Sequence, residues 1–184
     1  LRADEFDAAL YLVSPTQDIV DVRQGAPWWR LQGASAVAQW VASAADPGFG
    51  QLWPSARARL ELAFSEYVDS GAAEGLGAQY VGNVVTALQK TQRAAEAVDL
   101  SSSALPVAAK SNNPRETLFT LCDNAVSLFC CERFAESAIV LESVHQRARE
   151  VGDDEAMGWA ANYLRDFGVF SGSPAYSQAL ERLR

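Results

Sequence analysis

The sequence has few of the residues that build most catalytic and metal sites. It contains one histidine, His145, with one methionine and three cysteines among 184 residues. A single imidazole excludes metal sites made of several histidines and allows a histidine-based proton relay at this one position. Phosphate-binding glycine loops and nucleophilic serine motifs are also absent. We therefore expect no cofactor, no metal and no enzymatic activity, unless carboxylates distant in sequence meet in the fold.

Long apolar runs are absent too, because no stretch approaches the roughly 18 residues that a membrane-spanning helix needs. Positive charge is scarce: 15 Lys and Arg stand against 23 Asp and Glu, which gives a net charge of −8. Such a chain repels polyanions, so nucleic acid is excluded as an expected partner. The run Asp153-Asp154-Glu155 has the composition of a cation site, but its place before an apolar helical pattern favours helix capping.

The three cysteines are Cys122, Cys130 and Cys131. Adjacent cysteines form a disulfide only with strain, and on a helix Cys122 lies too far along the axis from Cys130 to pair with it. We expect three reduced, buried thiols. This favours a reducing, soluble compartment such as the cytoplasm or the matrix or stroma of an organelle.

Helical periodicity dominates what is present. Hydrophobic residues make up 49% of the chain and charged residues 21%, as in an average globular protein. No segment shows alternating polarity bounded by hairpin turns. The pattern predicts an all-α fold of about nine helices, built as helical hairpins or as a helix bundle. Two short helices are predicted before Pro27, one capped by Asp4 and one started at Ser14-Pro15.

Two adjacent tryptophans and an arginine open the third predicted helix, which runs from Pro27 to Ala45. Adjacent residues of a helix point about 100° apart, so both indoles cannot lie on one narrow apolar stripe. The predicted inward face consists of Trp29, Gly33, Val37, Trp40, Val41 and Ala44. Trp28 then fills the core against another element or contacts a partner, and Trp29→Ala should destabilise the chain more than Trp28→Ala. Since Trp and Arg often anchor interfaces, the candidate partner contacts are Trp28 and Arg30.

Serine, asparagine and proline break the pattern over residues 99–113, after a helix predicted from Ala78 to Val98. This composition predicts a linker that is poorly packed and cleaved first by a protease. The predicted organisation is an N-terminal helical region, 1–98, and C-terminal helical hairpins, 114–184. The two parts could also form one continuous domain.

The C-terminal part is predicted to form four helices in two hairpins, spaced by about 36 residues. The first hairpin has large, small and large residues at helical spacing: Leu121, Ala125, Leu128, Phe134, Ser137, Leu141 and Val144. In the second hairpin, Ala161, Leu164 and Phe170 repeat the spacing of Ala125, Leu128 and Phe134. Residues 114–184 therefore resemble tetratricopeptide-type repeats. The resemblance implies a short superhelix with a groove for peptides or partner proteins; a generic helix bundle is the alternative.

The sequence favours a non-catalytic helical protein–protein interaction module, acting as an adaptor or as an accessory subunit of a larger assembly. The expected partners are proteins of a multi-subunit complex. The alternative is a helical domain whose tryptophan- and phenylalanine-rich interior binds an apolar small molecule or pigment. The absorption spectrum of the purified protein would distinguish the two hypotheses.

Overall fold

The computed structural model describes residues 27–44, 47–71 and 76–183, which contain nine α-helices and no β-strand. The prediction of an all-α fold is confirmed. The two short helices predicted before Pro27 lie outside the described residues. In chain order the helices are α1 (Pro27–Ser43), α2 (Pro47–Gly50), α3 (Trp53–Asp69), α4 (Gly77–Lys90), α5 (Ala94–Ala108), α6 (Pro114–Cys130), α7 (Phe134–Val151), α8 (Asp154–Ser171) and α9 (Pro174–Arg182).

Eight of these helices fall into two rows, and α2 is a single turn beside α1. In the first row α1, α4, α6 and α8 contact one another in that order. The second row consists of α3, α5, α7 and α9, and it is interrupted: α3 packs on α5 and α7 packs on α9, but α5 and α7 hardly touch. None of the nine helices is both long and apolar enough to cross a membrane.

The hydrophobic core is divided in the same place. Buried residues of α1, α3, α4 and α5 form one cluster, and buried residues of α6 to α9 form two smaller ones. Between them α6 presents a stripe of buried polar residues at helical spacing: Glu116, Thr120, Asn124 and Ser127. Each residue of this stripe forms at least one side-chain hydrogen bond; the Gln89 amide of α4, for example, donates to Ser127 Oγ at 2.9 Å. The two halves therefore meet through a polar seam.

The segment 99–113, predicted as a linker, is helical over most of its length. Helix α5 extends through Ala108, and residues 109–113 alone connect it to α6. Its serine hydroxyls bond within the helix, as Ser101 Oγ does in donating to the carbonyl oxygen of Ala97 at 2.8 Å. The buried apolar residues of α5 include Ala97, Leu100, Ala104 and Ala108. The prediction of a poorly packed linker at 99–108 was wrong, because serines bonded to preceding carbonyls are compatible with a helix.

Two turns between helices share one geometry. Residues 91–93 join α4 to α5, and residues 131–133 join α6 to α7. The middle residues, Gln92 and Glu132, adopt left-handed backbone conformations with φ of 61° and 59°. Neither turn contains the glycine or proline that usually marks such a site. The single helix predicted from Ala78 to Val98 was therefore wrong, since it passed through the first turn.

Three of the C-terminal helices begin directly after a residue whose side chain caps them. Asn113, Asp153 and Ser173 each accept a hydrogen bond from a first-turn N–H. Helix α8 continues past Gly168 to Ser171. Phe170 consequently lies inside α8 and is 79% exposed, rather than opening the following helix as Phe134 does. The second hairpin therefore does not repeat the first at this position.

Candidate functional site

A groove lies between α5 and α7, with α6 as its floor; we call it the α5–α7 groove. Its volume is about 570 Å³, inside the roughly 300–1,000 Å³ range of ligand sites. Its walls combine aliphatic and polar side chains. The lining residues are Val98, Asp99 and Ser102 of α5, Asn124 and Leu128 of α6, and Arg133, Glu136, Ile139 and Val140 at the start of α7.

The groove is open because α5 and α7 lack polar contacts of the kind that join α3 to α5 and α7 to α9 in the same row. Ser103 of α5 donates to Glu61 of α3 at 2.6 Å. Arg182 of α9 pairs with Glu142 of α7 at 2.8 Å. Between α5 and α7, no hydrogen bond or ion pair joins any of the residues described. Arg133, which stands nearest this gap, forms its ion pair within its own helix start.

Asn124 on the floor of the groove has an acceptor without a donor. Its side chain is 6% exposed, and its Nδ2 donates to Ser101 Oγ and Ser102 Oγ, both at 3.0 Å. Ser101 gives its own proton to the carbonyl of Ala97, so it must accept from Asn124, and this fixes the orientation of the amide. Asn124 Oδ1 then accepts no hydrogen bond from the described part of the chain. The side chain as a whole is nearly buried, but Oδ1 is open to the groove, where water or a ligand can donate to it.

The apolar part of the groove centres on Ile139. This side chain is 61% exposed, although isoleucine is among the residue types most often buried in folded proteins. Val98, Leu128 and Val140 line the same space and are shielded from solvent to a greater degree. The groove therefore offers an aliphatic surface beside the Asn124 acceptor.

The charges around the groove leave one carboxylate unpaired. Arg133 binds Glu136 through two hydrogen bonds of 2.6 and 2.8 Å. Arg57, whose Nη2 approaches the backbone oxygen of Asp99 at 3.4 Å, pairs with Glu61. The exposed carboxylate of Asp99 has no partner in the described ranges. The polar atoms that remain available in the groove are therefore mainly acceptors.

Trp29 and Trp40 of α1 lie on the face opposite to the one predicted, while Trp28 takes the first of its two predicted positions, against the core. Trp28 is partly buried and packs against the first core cluster, while Trp29 and Trp40 are 46% and 49% exposed. The residues buried on α1 are mostly small: Leu31, Ala34, Ser35, Val37, Ala38, Val41 and Ala42. The predicted inward face was wrong at Trp29 and Trp40, while Val37 and Val41 of that face are buried. Close approach of α3 and α4 to α1 selects alanines, and large rings placed there would hold the helices apart.

The second candidate partner contact, Arg30, is exposed and pairs with Glu66 of α3 at 3.4 Å. The Trp28 ring stacks on the Trp29 ring with centroids 3.7 Å apart. The structure thus brings Trp28 to the core and leaves Trp29 and Arg30 at the surface of α1. Neither Trp28 nor Arg30 lines the α5–α7 groove.

This arrangement reverses the expected effect of truncating the two indoles. Trp28→Ala should lower the free energy of unfolding by about 2–3 kcal/mol, because it leaves a cavity against the core. Trp29→Ala removes a half-exposed ring and should cost about 1 kcal/mol, mostly from the lost stacking. Urea unfolding of both variants checks the order. A larger loss for Trp29→Ala would restore the face predicted from the sequence.

The three thiols are unpaired, as expected, but they are not all buried. Cys122 is buried, Cys131 is partly buried and Cys130 is exposed. Burial, with the neighbouring Asp123 carboxyl, raises the pKa of the Cys122 thiol to about 12. Because the thiolate is the reactive species, Cys122 is not a candidate nucleophile.

Thiol labelling of the native chain should therefore stop at two groups. With an aromatic disulfide reagent at pH 8, Cys130 and Cys131 should react while Cys122 stays unmodified, since its thiolate is scarce and shielded. Complete labelling in concentrated urea is the control that counts all three thiols. Three fast-reacting thiols in the native chain would contradict this description of Cys122.

The single histidine of the chain lies on α7. His145 is partly buried, and burial, with the nearby Arg149 charge, lowers its pKa below the ordinary value. Its Nδ1 has no hydrogen-bond partner in the part of the chain that the structure covers. Across the described ranges, no three His, Cys, Asp or Glu side chains are grouped so that they could hold a metal ion. At the run 153–155, Asp153 caps α8 and both Asp153 and Glu155 pair with Arg115.

Asp123 of α6 is a titratable group whose pKa differs between the folded chain and the ordinary value. Its carboxyl packs against Gly82 of α4, and burial raises its pKa from the ordinary 3.8 to about 7. The groups near it, Cys122 and Tyr163, are neutral in the same range, and their own pKa values are raised in part by Asp123. The folded chain therefore holds a proton on Asp123 at pH values where the unfolded chain has lost it.

This proton makes the fold less stable as the pH rises. The contribution is fully present below about pH 4 and is lost as the pH rises through 7, because the folded pKa lies above the unfolded one. Asp123→Asn should remove this dependence and be more stable than wild type at pH 8 by about 1–3 kcal/mol. Burial also raises the pKa of Glu116, so its contribution to stability falls with rising pH in the same direction. The Asp123→Asn variant is therefore compared with wild type at both pH 5 and pH 8. An equal loss of stability in both proteins would contradict the role of Asp123.

A smaller, more enclosed cavity lies between α3, α4 and α5. Its volume is about 130 Å³, and it is lined mostly by aliphatic residues with Phe64, Glu61 and Ser103. At roughly 30 Å³ per water molecule, this volume corresponds to about four waters. The cavity is therefore too small for a pigment, and none of the tryptophans lines it.

Comparisons with known proteins add no assignment. No family model matches the sequence, and no curated protein or solved structure matches it either. The resemblance of residues 114–184 to tetratricopeptide-type repeats therefore stays a prediction.

Proposed function

We propose that this chain is a non-catalytic interaction module and that it binds a segment of a partner protein in the α5–α7 groove. The observation that carries the proposal is the break in the second row of helices. It exposes Ile139 and leaves the Asn124 amide oxygen without a donor. An exposed aliphatic anchor beside an acceptor that is open to the groove is what a bound chain segment could cover.

The test compares two substitutions at equally exposed aliphatic positions. Ile139 is 61% exposed in the groove, and Leu62 is 62% exposed on α3. Each is replaced by aspartate, and the immobilised full chain is exposed to extract from the native source after cross-linking. Ile139→Asp should lose the proteins that wild type retains, while Leu62→Asp should keep them.

Amide hydrogen exchange then locates the contact. With a recovered partner bound, amides at the start of α7 and in the middle of α5 should exchange more slowly. Equal recovery by wild type and Ile139→Asp would contradict binding in the groove. Protection confined to α8 and α9 would place the interface on another surface of the chain.

The alternative function, binding an apolar molecule or pigment, has less support. The enclosed cavity beside Phe64 holds about 130 Å³. The α5–α7 groove is larger, but five of its nine lining side chains are polar or charged. An absorption band in the visible range in purified material would reverse this preference.

A further inference from the structure

We infer that the α5–α7 groove selects an extended segment that carries a lysine or arginine next to an aliphatic side chain. This inference rests on the proposed function and names the chemistry of the partner. It follows from three features: the aliphatic surface of the groove, its unpaired acceptors, and the pairing of the nearby cations with carboxylates of this chain.

The aliphatic surface gives the first requirement. Ile139 stands exposed at one wall, and Val98 and Val140 flank it from α5 and α7. An aliphatic side chain of the partner would remove this surface from water, which is the main favourable term in association. Charged or small polar side chains at that point would gain nothing from it.

The acceptors give the second requirement. Asn124 Oδ1 lies on the floor without a donor, and the Asp99 carboxylate lies on the α5 wall without a cation. The partner segment must therefore bring donors. A backbone N–H suits Asn124, and a lysine ammonium or arginine guanidinium suits Asp99.

The cations near the groove give the third requirement, because they disfavour acidic segments. Arg133 already pairs with Glu136, and Arg57, outside the groove lining, pairs with Glu61, so both attract a carboxylate of the partner less than a free cation would. The whole chain carries a charge of −8, which also favours a basic partner. A second copy of this chain would bring the same negative charge, so a different, basic protein is the better occupant.

The chemistry is tested with a displayed library of random 12-residue peptides selected on the full chain. The enriched peptides should contain Lys or Arg adjacent to Leu, Ile or Val. Asp99→Asn should weaken their binding by about fivefold, as for a partly exposed ion pair. Ile139→Ser should weaken it by about tenfold or more, as for an apolar anchor. The matched control is Glu181→Gln, an exposed charge on α9, which should leave binding unchanged.

The outcomes separate this inference from the proposed function. Acidic or uncharged peptides that depend on Ile139 would overturn the basic specificity and leave the groove as a binding site. Basic peptides weakened equally by Asp99→Asn and Glu181→Gln would show charge attraction without selection, and would also overturn the inference. Peptides that bind independently of Ile139, or a selection without enrichment, would overturn the proposed site itself.

Discussion

Replacing Glu116 by alanine is expected to lower the free energy of unfolding by about 3 kcal/mol, because two buried hydrogen bonds are lost with one side chain. Glu116 of α6 is 1% exposed, and its two carboxyl oxygens accept from the N–H groups of Gly77 and Ala78 at 2.7 and 2.5 Å. These N–H groups belong to the first turn of α4, where no residue of α4 itself supplies a side-chain cap. The variant leaves both donors buried without an acceptor.

Local and global measurements together check this prediction. Urea unfolding gives the loss of stability, and amide exchange at Gly77 and Ala78 should accelerate more than exchange elsewhere in α4. Glu116→Gln keeps one acceptor oxygen and should lose about half as much. Glu136→Ala is the matched control, since its exposed ion pair with Arg133 should contribute less than about 1 kcal/mol. Equal stability of Glu116→Ala and Glu136→Ala would contradict the capping role.

Glu116 also shows which part of the fold the sequence determines locally. Its place after Asn113 and Pro114 predicts a first-turn acid, and the Asn113 cap is present in the structure. The pairing with α4 depends on a contact across 39 residues of chain. Local spacing predicts where a helix starts, but it contains no information on which distant backbone an acid will meet.

The α5–α7 groove could not be predicted from the sequence, for a related reason. It exists because two helices fail to pack, and the absence of a contact leaves no periodic pattern in either helix. The Ser-rich composition of α5 also concealed the helix itself. The sequence did contain one signal, which is that the turn is repeated. Arg93 and Glu96 follow Gln92 at the same spacing at which Arg133 and Glu136 follow Glu132, and each Arg–Glu pair forms an ion pair.

The face of α1 was mispredicted because residue size was taken as a measure of burial. Large aromatics on one stripe indicate a core in most helices, and the stripe with Trp29 and Trp40 met that criterion. Where helices approach closely, however, the contact is made by small residues such as Ala38 and Ala42, which are fully buried here. Hydrophobic periodicity predicted where the helix lies in the sequence. Which of its two neighbouring stripes faces the core depends on the helices that pack against it.

Gly82→Ala should lower the free energy of unfolding by about 2 kcal/mol, although alanine is the better helix former by about 1 kcal/mol. Gly82 lies in α4 and faces Asp123 of α6. A Cβ added at Gly82 would overlap Asp123 Oδ2 and lie 3.2 Å from its Cγ. Relieving that overlap requires the buried carboxyl to rotate or the two helices to separate, and α4 and α6 are joined nearby by the Glu116 and Gln89 bonds.

A double-mutant cycle isolates this contact. Asp123→Ala removes the carboxyl and makes room for the new methyl group, so Gly82→Ala should be neutral or stabilising in that background. The coupling between the two positions should be about 2 kcal/mol or more, and it should have the same sign at pH 5 and at pH 8 because the overlap is steric. Gly158→Ala in α8 is the matched control, since a Cβ there meets no atom within 4 Å and should bring the helix-propensity gain alone. If Gly82→Ala destabilised both backgrounds equally, the contact between α4 and α6 at Asp123 would not exist as described.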